Sequence, residues 1–88
     1  MRVELSSKAE KQFDKLNEPD LSKIAAALIK LGKEPPEGDI KKLKNRDGYR
    51  LRTGDYRIIY DVDNNRIDVL TIDTRGQAYK KKAQQKKR

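Results

Sequence analysis

The 88-residue chain contains no cysteine and no histidine. Without cysteine there is no disulfide framework and no thiolate to serve as nucleophile or metal ligand, which suits a reducing compartment. Without histidine, the usual general base, the commonest transition-metal ligand and the Ser-His and Cys-His nucleophile pairs are all missing. Any chemistry must therefore use Lys, Arg, Tyr, Asp or Glu, and neither a metal nor another cofactor is expected. Long apolar runs are absent too: no stretch approaches the roughly 18 apolar residues of a membrane span, and the opening MRVELSSKAEKQ has no apolar core of a secretory leader. The expectation is a soluble, untargeted, cytoplasmic protein with no membrane partner. Apolar residues make up 34 % of the chain, so its core must be lean.

Charge is abundant and unevenly placed. The net charge is +8, yet residues 1–40 carry seven basic and eight acidic side chains, and residues 58–74 carry one basic and four acidic. The excess lies in residues 41–57, with seven basic and two acidic, and in residues 75–88, with seven basic and none acidic. Two basic segments on a small domain point to a polyanionic partner.

Residues 2–5 (RVEL) alternate polar and apolar and predict a short edge strand. Ser7-Lys8-Ala9-Glu10 reads as a capping box at the start of a helix over about 7–16, whose apolar stripe is Ala9, Phe13 and Leu16. After a break at Asn17–Asp20, the residues Leu21, Ile24, Ala25, Leu28 and Leu31 predict a second helix ending at Gly32 in a left-handed C-cap. The short connection implies an antiparallel helical hairpin. KEPPEG (33–38) is a linker, because paired prolines remove donors and favour extended geometry. Strands follow at about 49–53, 55–62 and 66–73, separated by Thr53-Gly54 and Asn64-Asn65, residues that tolerate the positive φ of hairpin turns. The fold class is therefore α+β: a strand, a two-helix hairpin and a three-stranded antiparallel meander in one twisted sheet, with the helices packed on one face. The domain spans 1–80, and 81–88 is a basic, flexible tail.

A turn at Thr53-Gly54 places Arg52 opposite Asp55, Leu51 opposite Tyr56 and Arg50 opposite Arg57, and opposed residues project to the same side. Arg50, Arg52 and Arg57 then share one face, with Arg50 and Arg57 as a repulsive pair. Counting through Asn64-Asn65 adds Ile59, Leu70 and Ile72 to that face. The other face receives Leu51, Tyr56, Ile58, Tyr60, Val62, Ile67, Val69 and Thr71, to meet Phe13, Ile24 and Leu28. Two readings of the arginines stand side by side. They pair with Asp55, Asp61 and Asp68 on a solvated sheet, or they join Lys41, Lys42, Lys44 and Arg46 in one surface for phosphate, where guanidinium forks bind oxygens and nearby tyrosines stack on unpaired bases.

The run Asp39-Ile40-Lys41-Lys42-Leu43, then Asp47-Gly48-Tyr49-Arg50-Leu51-Arg52, then Gly54-Asp55-Tyr56-Arg57-Ile58-Ile59-Tyr60, and on to Arg75 and Tyr79, resembles the RelE/ParE toxin superfamily of type II toxin–antitoxin systems. SSKAEKQFDKL is similar to that family's first helix, so the resemblance covers about residues 2–80. It implies a cognate antitoxin, with the toxin a monomer alone and oligomeric with its antitoxin. In the RelE branch it implies an mRNA interferase that enters the ribosomal A site (30S) and cleaves mRNA by attack of the RNA's own 2′-hydroxyl, without metal. Arg57 matches the family's arginine after Gly-x-Tyr. Arg50 and Arg52 match two basic strand positions that are often lysine in that branch. Arg75 matches the basic residue before the last short helix, and Tyr79 a C-terminal tyrosine. Lys41, Lys42, Lys44, Arg46, Lys80 and Lys81 become candidate RNA contacts. Where many members have Gly-His-Arg this chain has Asp73-Thr74-Arg75, which leaves the base to Tyr79, with Lys44 in reserve. The alternatives are a ParE-like toxin that poisons gyrase and a catalytically silent member that only binds antitoxin or RNA.

Overall fold

A computed structural model describes residues 1–74. Arg75, Tyr79, Lys80, Lys81 and the expected tail lie outside the described residues. The element order is β1 (Arg2–Leu5), α1 (Ser7–Asp14), α2 (Asp20–Leu31), β2 (Asp39–Lys42), β3 (Tyr49–Thr53), β4 (Tyr56–Asp63) and β5 (Arg66–Thr74). The α+β class holds, but the sheet is a mixed five-stranded one in the order β1-β5-β4-β3-β2. β1 runs parallel to β5, while β2 to β5 form an antiparallel meander of four strands rather than three. The additional strand, β2, is the start of the basic stretch: Ile40 is half-buried while Asp39, Lys41 and Lys42 are exposed.

Both helices cover one side of the sheet. Ala9 from α1 and Ile24, Ala27 and Leu31 from α2 bury against Leu51, Ile58, Tyr60, Ile67, Val69 and Ile72, with Phe13 and Leu28 packed on the margin. Tyr49 and Tyr60, directly opposed on β3 and β4, stack with ring centroids 5.4 Å apart. Tyr56 donates its hydroxyl to Asp20 Oδ2 at 2.9 Å, which ties β4 to the first turn of α2.

Several local expectations shift by one residue. The N-cap of α1 is Ser6, not Ser7: Ser6 Oγ accepts from the Ala9 N–H at 3.0 Å. Ser6 takes this place because its hydroxyl also donates to the Leu70 carbonyl at 2.7 Å, and its N–H to the Val69 carbonyl, so one residue closes both the helix and the sheet. Gly32 ends α2 in right-handed geometry (φ −77°). What favours glycine there is space, since a Cβ would lie 3.0 Å from the carbonyl of Met1, the residue before β1.

The β3–β4 turn is Gly54-Asp55, not Thr53-Gly54. Gly54 has φ +57° and Asp55 has no positive φ. A positive φ at the first central position alone is what a type II′ turn demands, and glycine is favoured there. Arg52 is therefore the residue opposite Arg57, and Arg50 is opposite Ile59. Moving the turn by one residue changes partners by two, so each side chain keeps its face. The β4–β5 turn follows expectation, with Asn64 and Asn65 both at positive φ.

A bulge between Ile59/Tyr60 and β5 interrupts that ladder: Ile59 pairs with Thr71 but Tyr60 with Val69, which leaves Leu70 without an opposite residue. Past the bulge the alternation of β5 reverses. Ile72, expected beside the arginines, is buried in the core, and Thr71, expected in the core, lies on the arginine side. Val62 projects to the helix side but is 46 % exposed, beyond the cover of the helices. The bulge is held from α1, where Gln12 Oε1 accepts from the Ile72 N–H and Gln12 Nε2 donates to Asp73 Oδ1, both at 2.7 Å.

Two tests follow. Ser6→Ala removes the cap and leaves the Leu70 carbonyl without its donor; the urea midpoint is expected to fall by an amount equivalent to about 1–2 kcal/mol. Tyr56 and Tyr60 both have their phenol pKa raised above its ordinary value of 10.0, chiefly by burial, with the hydrogen bond to Asp20 adding for Tyr56 and the proximity of Tyr49 for Tyr60. A raised folded-state pKa means that stability is full below about pH 10 and is lost as pH rises through the folded-state values, because the unfolded phenols release their protons first. Chemical denaturation is expected to be flat in pH up to about 9.5 and weaker above it, with Tyr56→Phe removing part of the fall.

Candidate nucleic-acid interface

The side of the sheet away from both described helices carries the arginines. Cross-strand pairing sets them in two adjacent rows. One row runs Asp39–Arg52–Arg57–Asp73 from β2 to β5, each neighbour a direct pairing partner. The next runs Lys41–Arg50–Ile59–Thr71. With strands about 4.8 Å apart, Arg52 and Arg57 stand side by side, and Arg50 and Lys41 occupy the adjoining row. Ile59, Leu70 and Thr71 are half-buried, and the first two give this basic patch apolar surface.

The solvated ion-pair reading of the arginines fails. Asp61, a supposed partner, is taken by Arg46, whose Nη2 lies 2.9 and 3.2 Å from its two carboxylate oxygens. Asp68 is taken by Arg66, with Nε to Oδ1 at 2.7 Å and Nη2 to Oδ2 at 3.1 Å. The hydrogen bond from Arg66 holds the Asp68 carboxyl below the usual carboxylate range. Asp55 forms no ion pair among the described residues. Arg50, Arg52, Arg57, Lys41, Lys42 and Lys44 likewise form none. The face is thus divided. Towards the β4–β5 turn the acids are paired with arginines, Arg66 serving both Asp63 and Asp68; towards the β3–β4 turn the arginines have no ion pair among the described residues, although Asp39 and Asp73 end their row.

Arg52 and Arg57 are exposed, whereas Arg50 is half-buried. Arg50 Nη1 is shielded from solvent and has no hydrogen-bond partner among the described residues. Leaving a buried charged donor unsatisfied costs on the order of 1–3 kcal/mol, and a bound anion removes that cost. The direct opposition of Arg52 and Arg57 costs a few tenths of a kcal/mol more. Two unfavourable arrangements thus lie on one small face.

The other expected basic residues divide. Lys41 stands in the second row. Lys42 is opposite Tyr49 and so projects to the helix side, apart from the arginines. Lys44 and Arg46 belong to the β2–β3 loop, closed by the Leu43 N–H on the Gly48 carbonyl at 3.0 Å. That loop curls around an open concavity of about 480 Å³. Arg46 anchors the loop to Asp61 on β4 instead of standing free. Asp39 and Asp73, which end the arginine row, were missed from sequence, because only cross-strand register places them there.

Residues 3–79 match the family described as ParE toxin of type II toxin-antitoxin system, parDE. The chain belongs to this toxin family. A search of the curated proteins found no match. Among solved structures, the archaeal RelE–RelB complex from Pyrococcus horikoshii OT3 is similar at 31 % identity, with 85 % of this chain and 94 % of that chain covered and a TM-score of 0.71. The RelBE2 toxin–antitoxin complex of Mycobacterium tuberculosis matches at 22 % identity over 84 % of this chain and 96 % of that chain, with a TM-score of 0.72. The isolated Escherichia coli RelE toxin matches at 18 % identity over 96 % of both chains, with a TM-score of 0.70. The last two likenesses bear on the fold alone. The fold and the strand motif of this toxin fit the RelE-like branch.

The like-charge pair makes a stability prediction independent of any activity. Arg52→Thr relieves the repulsion and introduces a good strand former, so the melting temperature is expected to rise by about 1–3 °C while RNA affinity falls. A lower melting temperature would mean that Arg52 holds the sheet together.

Proposed function

We propose that this toxin is a ribosome-dependent endoribonuclease that cleaves mRNA in the A site and is silenced by a cognate antitoxin. The observation that carries the reading is the trio Arg50, Arg52 and Arg57, which forms no ion pair and has one buried guanidinium nitrogen lacking an acceptor among the described residues. Cleavage by the RNA's own 2′-hydroxyl needs no nucleophile from the protein, which suits a chain without cysteine or histidine. Its pentacoordinate transition state gathers negative charge on the phosphoryl oxygens. Arginines already placed around that phosphate stabilise it, and losing one such contact costs on the order of 3 kcal/mol.

In this reading the opposed Arg52 and Arg57 straddle the scissile phosphate, and Arg50 binds it from below, gaining the acceptor it lacks. Ile59 and Leu70 give an adjacent base an apolar surface. Lys41 and Lys44 hold flanking phosphates. The antitoxin covers the same face, and the relatives from Pyrococcus horikoshii and Mycobacterium tuberculosis were solved as complexes of toxin with antitoxin. An acidic or amphipathic antitoxin segment matches the charge of the patch.

A second reading, poisoning of DNA gyrase, is favoured by the ParE description of the matching family. Mapping mRNA ends after induction in cells separates the two. The endonuclease reading expects cuts within translated frames, reduced about 100-fold or more by Arg57→Ala, and no inhibition of purified gyrase in a supercoiling assay. Intact mRNA together with blocked supercoiling would establish the gyrase reading instead.

A further inference from the structure

We propose that Asp39 is the general base of this site, an inference that rests on the endoribonuclease reading. Asp39 is the direct cross-strand partner of Arg52 and heads the row that continues through Arg57. Its carboxylate is exposed and has neither a hydrogen-bond donor nor an ion-pair partner among the described residues. The other carboxylates of this face are engaged. Arg46 holds Asp61, Arg66 holds Asp68 and Asp63, Arg2 holds Glu4, and Gln12 holds Asp73. Asp55 lies in the β3–β4 turn, outside both rows.

Asp39 is also held in place. The preceding Gly38 has φ +138°, and a Cβ there would lie 2.5 Å from Leu51 Cδ1. Glycine thus lets the incoming backbone lie against the buried Leu51, so that Asp39 enters the ladder as the first residue of β2. A base on a paired strand is better fixed than one on the linker before it. The guanidiniums cannot serve as base, because arginine does not give up its proton in proteins.

A phosphate gripped by Arg52 and Arg57 has Asp39 one strand away on the same side. A ribose lying over the β2 edge then presents its 2′-hydroxyl to Asp39 directly or through one water. The carboxylate takes the 2′ proton, and the oxygen's electron pair forms a new bond to phosphorus. The bond from phosphorus to the 5′-oxygen breaks, and that oxygen leaves with the bonding pair and is protonated by water. Asp39 returns its proton to solvent. The products are a 2′,3′-cyclic phosphate and a 5′-hydroxyl end.

The test is single-turnover cleavage of mRNA on programmed ribosomes, with binding measured in parallel, for the wild type, Asp39→Asn, Asp39→Glu, Asp55→Asn and Arg57→Ala. Asp39→Asn is expected to lower the rate about 100- to 10,000-fold while RNA affinity stays equal or tightens, since a negative charge has been removed. Asp39→Glu restores part of the rate, and Asp55→Asn, which removes the same charge outside the row, cleaves within about twofold of wild type. The wild-type rate is expected not to climb tenfold per pH unit towards about pH 10, as a tyrosine or lysine base would make it do. Near-normal cleavage by Asp39→Asn, an equal loss in Asp55→Asn, or a climbing wild-type profile overturns the proposal. If Arg57→Ala loses cleavage while Asp39→Asn keeps it, only the base assignment falls. If the wild type leaves mRNA intact, the endonuclease reading falls with it.

Discussion

Two guanidinium groups face each other across β3 and β4, and the rest of the open face is organised by that opposition. Arg52 meets Arg57 because Gly54 supplies the positive φ at the first central position of their turn. The same ladder then fixes what lies on either side: Asp39 next to Arg52 and Asp73 next to Arg57, with Lys41, Arg50, Ile59 and Thr71 in the neighbouring row. Neither arginine of this arrangement forms an ion pair among the described residues, although Asp39 and Asp73 flank the pair with opposite charge. The opposition is tolerated because the opposite side of the same strands buries Leu51, Ile58 and Tyr60 against the two helices. A few tenths of a kcal/mol of repulsion is small beside the roughly 1.5–3 kcal/mol that each such fully buried side chain contributes.

The alternation of β-structure therefore lets one hairpin serve two purposes. Odd positions of β3 and even positions of β4 build the core; the intervening residues present charge. α1 contributes to both. Its Ser6 and Gln12 satisfy the Leu70 carbonyl and the Ile72 N–H around the bulge, and Gln12 also engages the Asp73 carboxylate. The Asp73 carboxylate is thereby held by a neutral amide and keeps its charge opposite Arg57 without forming an ion pair with it. At the far end of the sheet, Arg46 and Arg66 pair with Asp61 and Asp68, so the sheet arginines without an ion pair among the described residues are confined to the β3–β4 end. Confinement of this kind favours an anion held at one place over one spread across the sheet.

Much of this was legible in the sequence, and the failures share a cause. The helices showed in three- and four-residue spacing, and the faces of the hairpin in strict alternation. The turn was placed one residue early because both Thr53-Gly54 and Gly54-Asp55 hold the glycine, and only backbone geometry tells which central position it fills. Face assignments survived that error, since partners move by two, but the repulsive partner of Arg57 changed from Arg50 to Arg52. The bulge at Leu70 was invisible because the groups that hold it, on Ser6 and Gln12, lie about 60 residues earlier in the chain. β2 escaped notice because DIKK, a four-residue edge strand with one half-buried side chain, has too little alternation to read. Arg46 looked like a free cation for want of its distant partner, Asp61.

The central claim is that the arginine face acts on a phosphodiester whose own 2′-hydroxyl is the nucleophile. End-group analysis of mRNA cut in the ribosomal A site by the purified toxin tests it most directly. The account predicts 2′,3′-cyclic phosphate on the upstream fragment and a 5′-hydroxyl on the downstream one. Fragments that carry a 5′-phosphate and a free 3′-hydroxyl would show that water, not the RNA, supplies the nucleophile, and would contradict it.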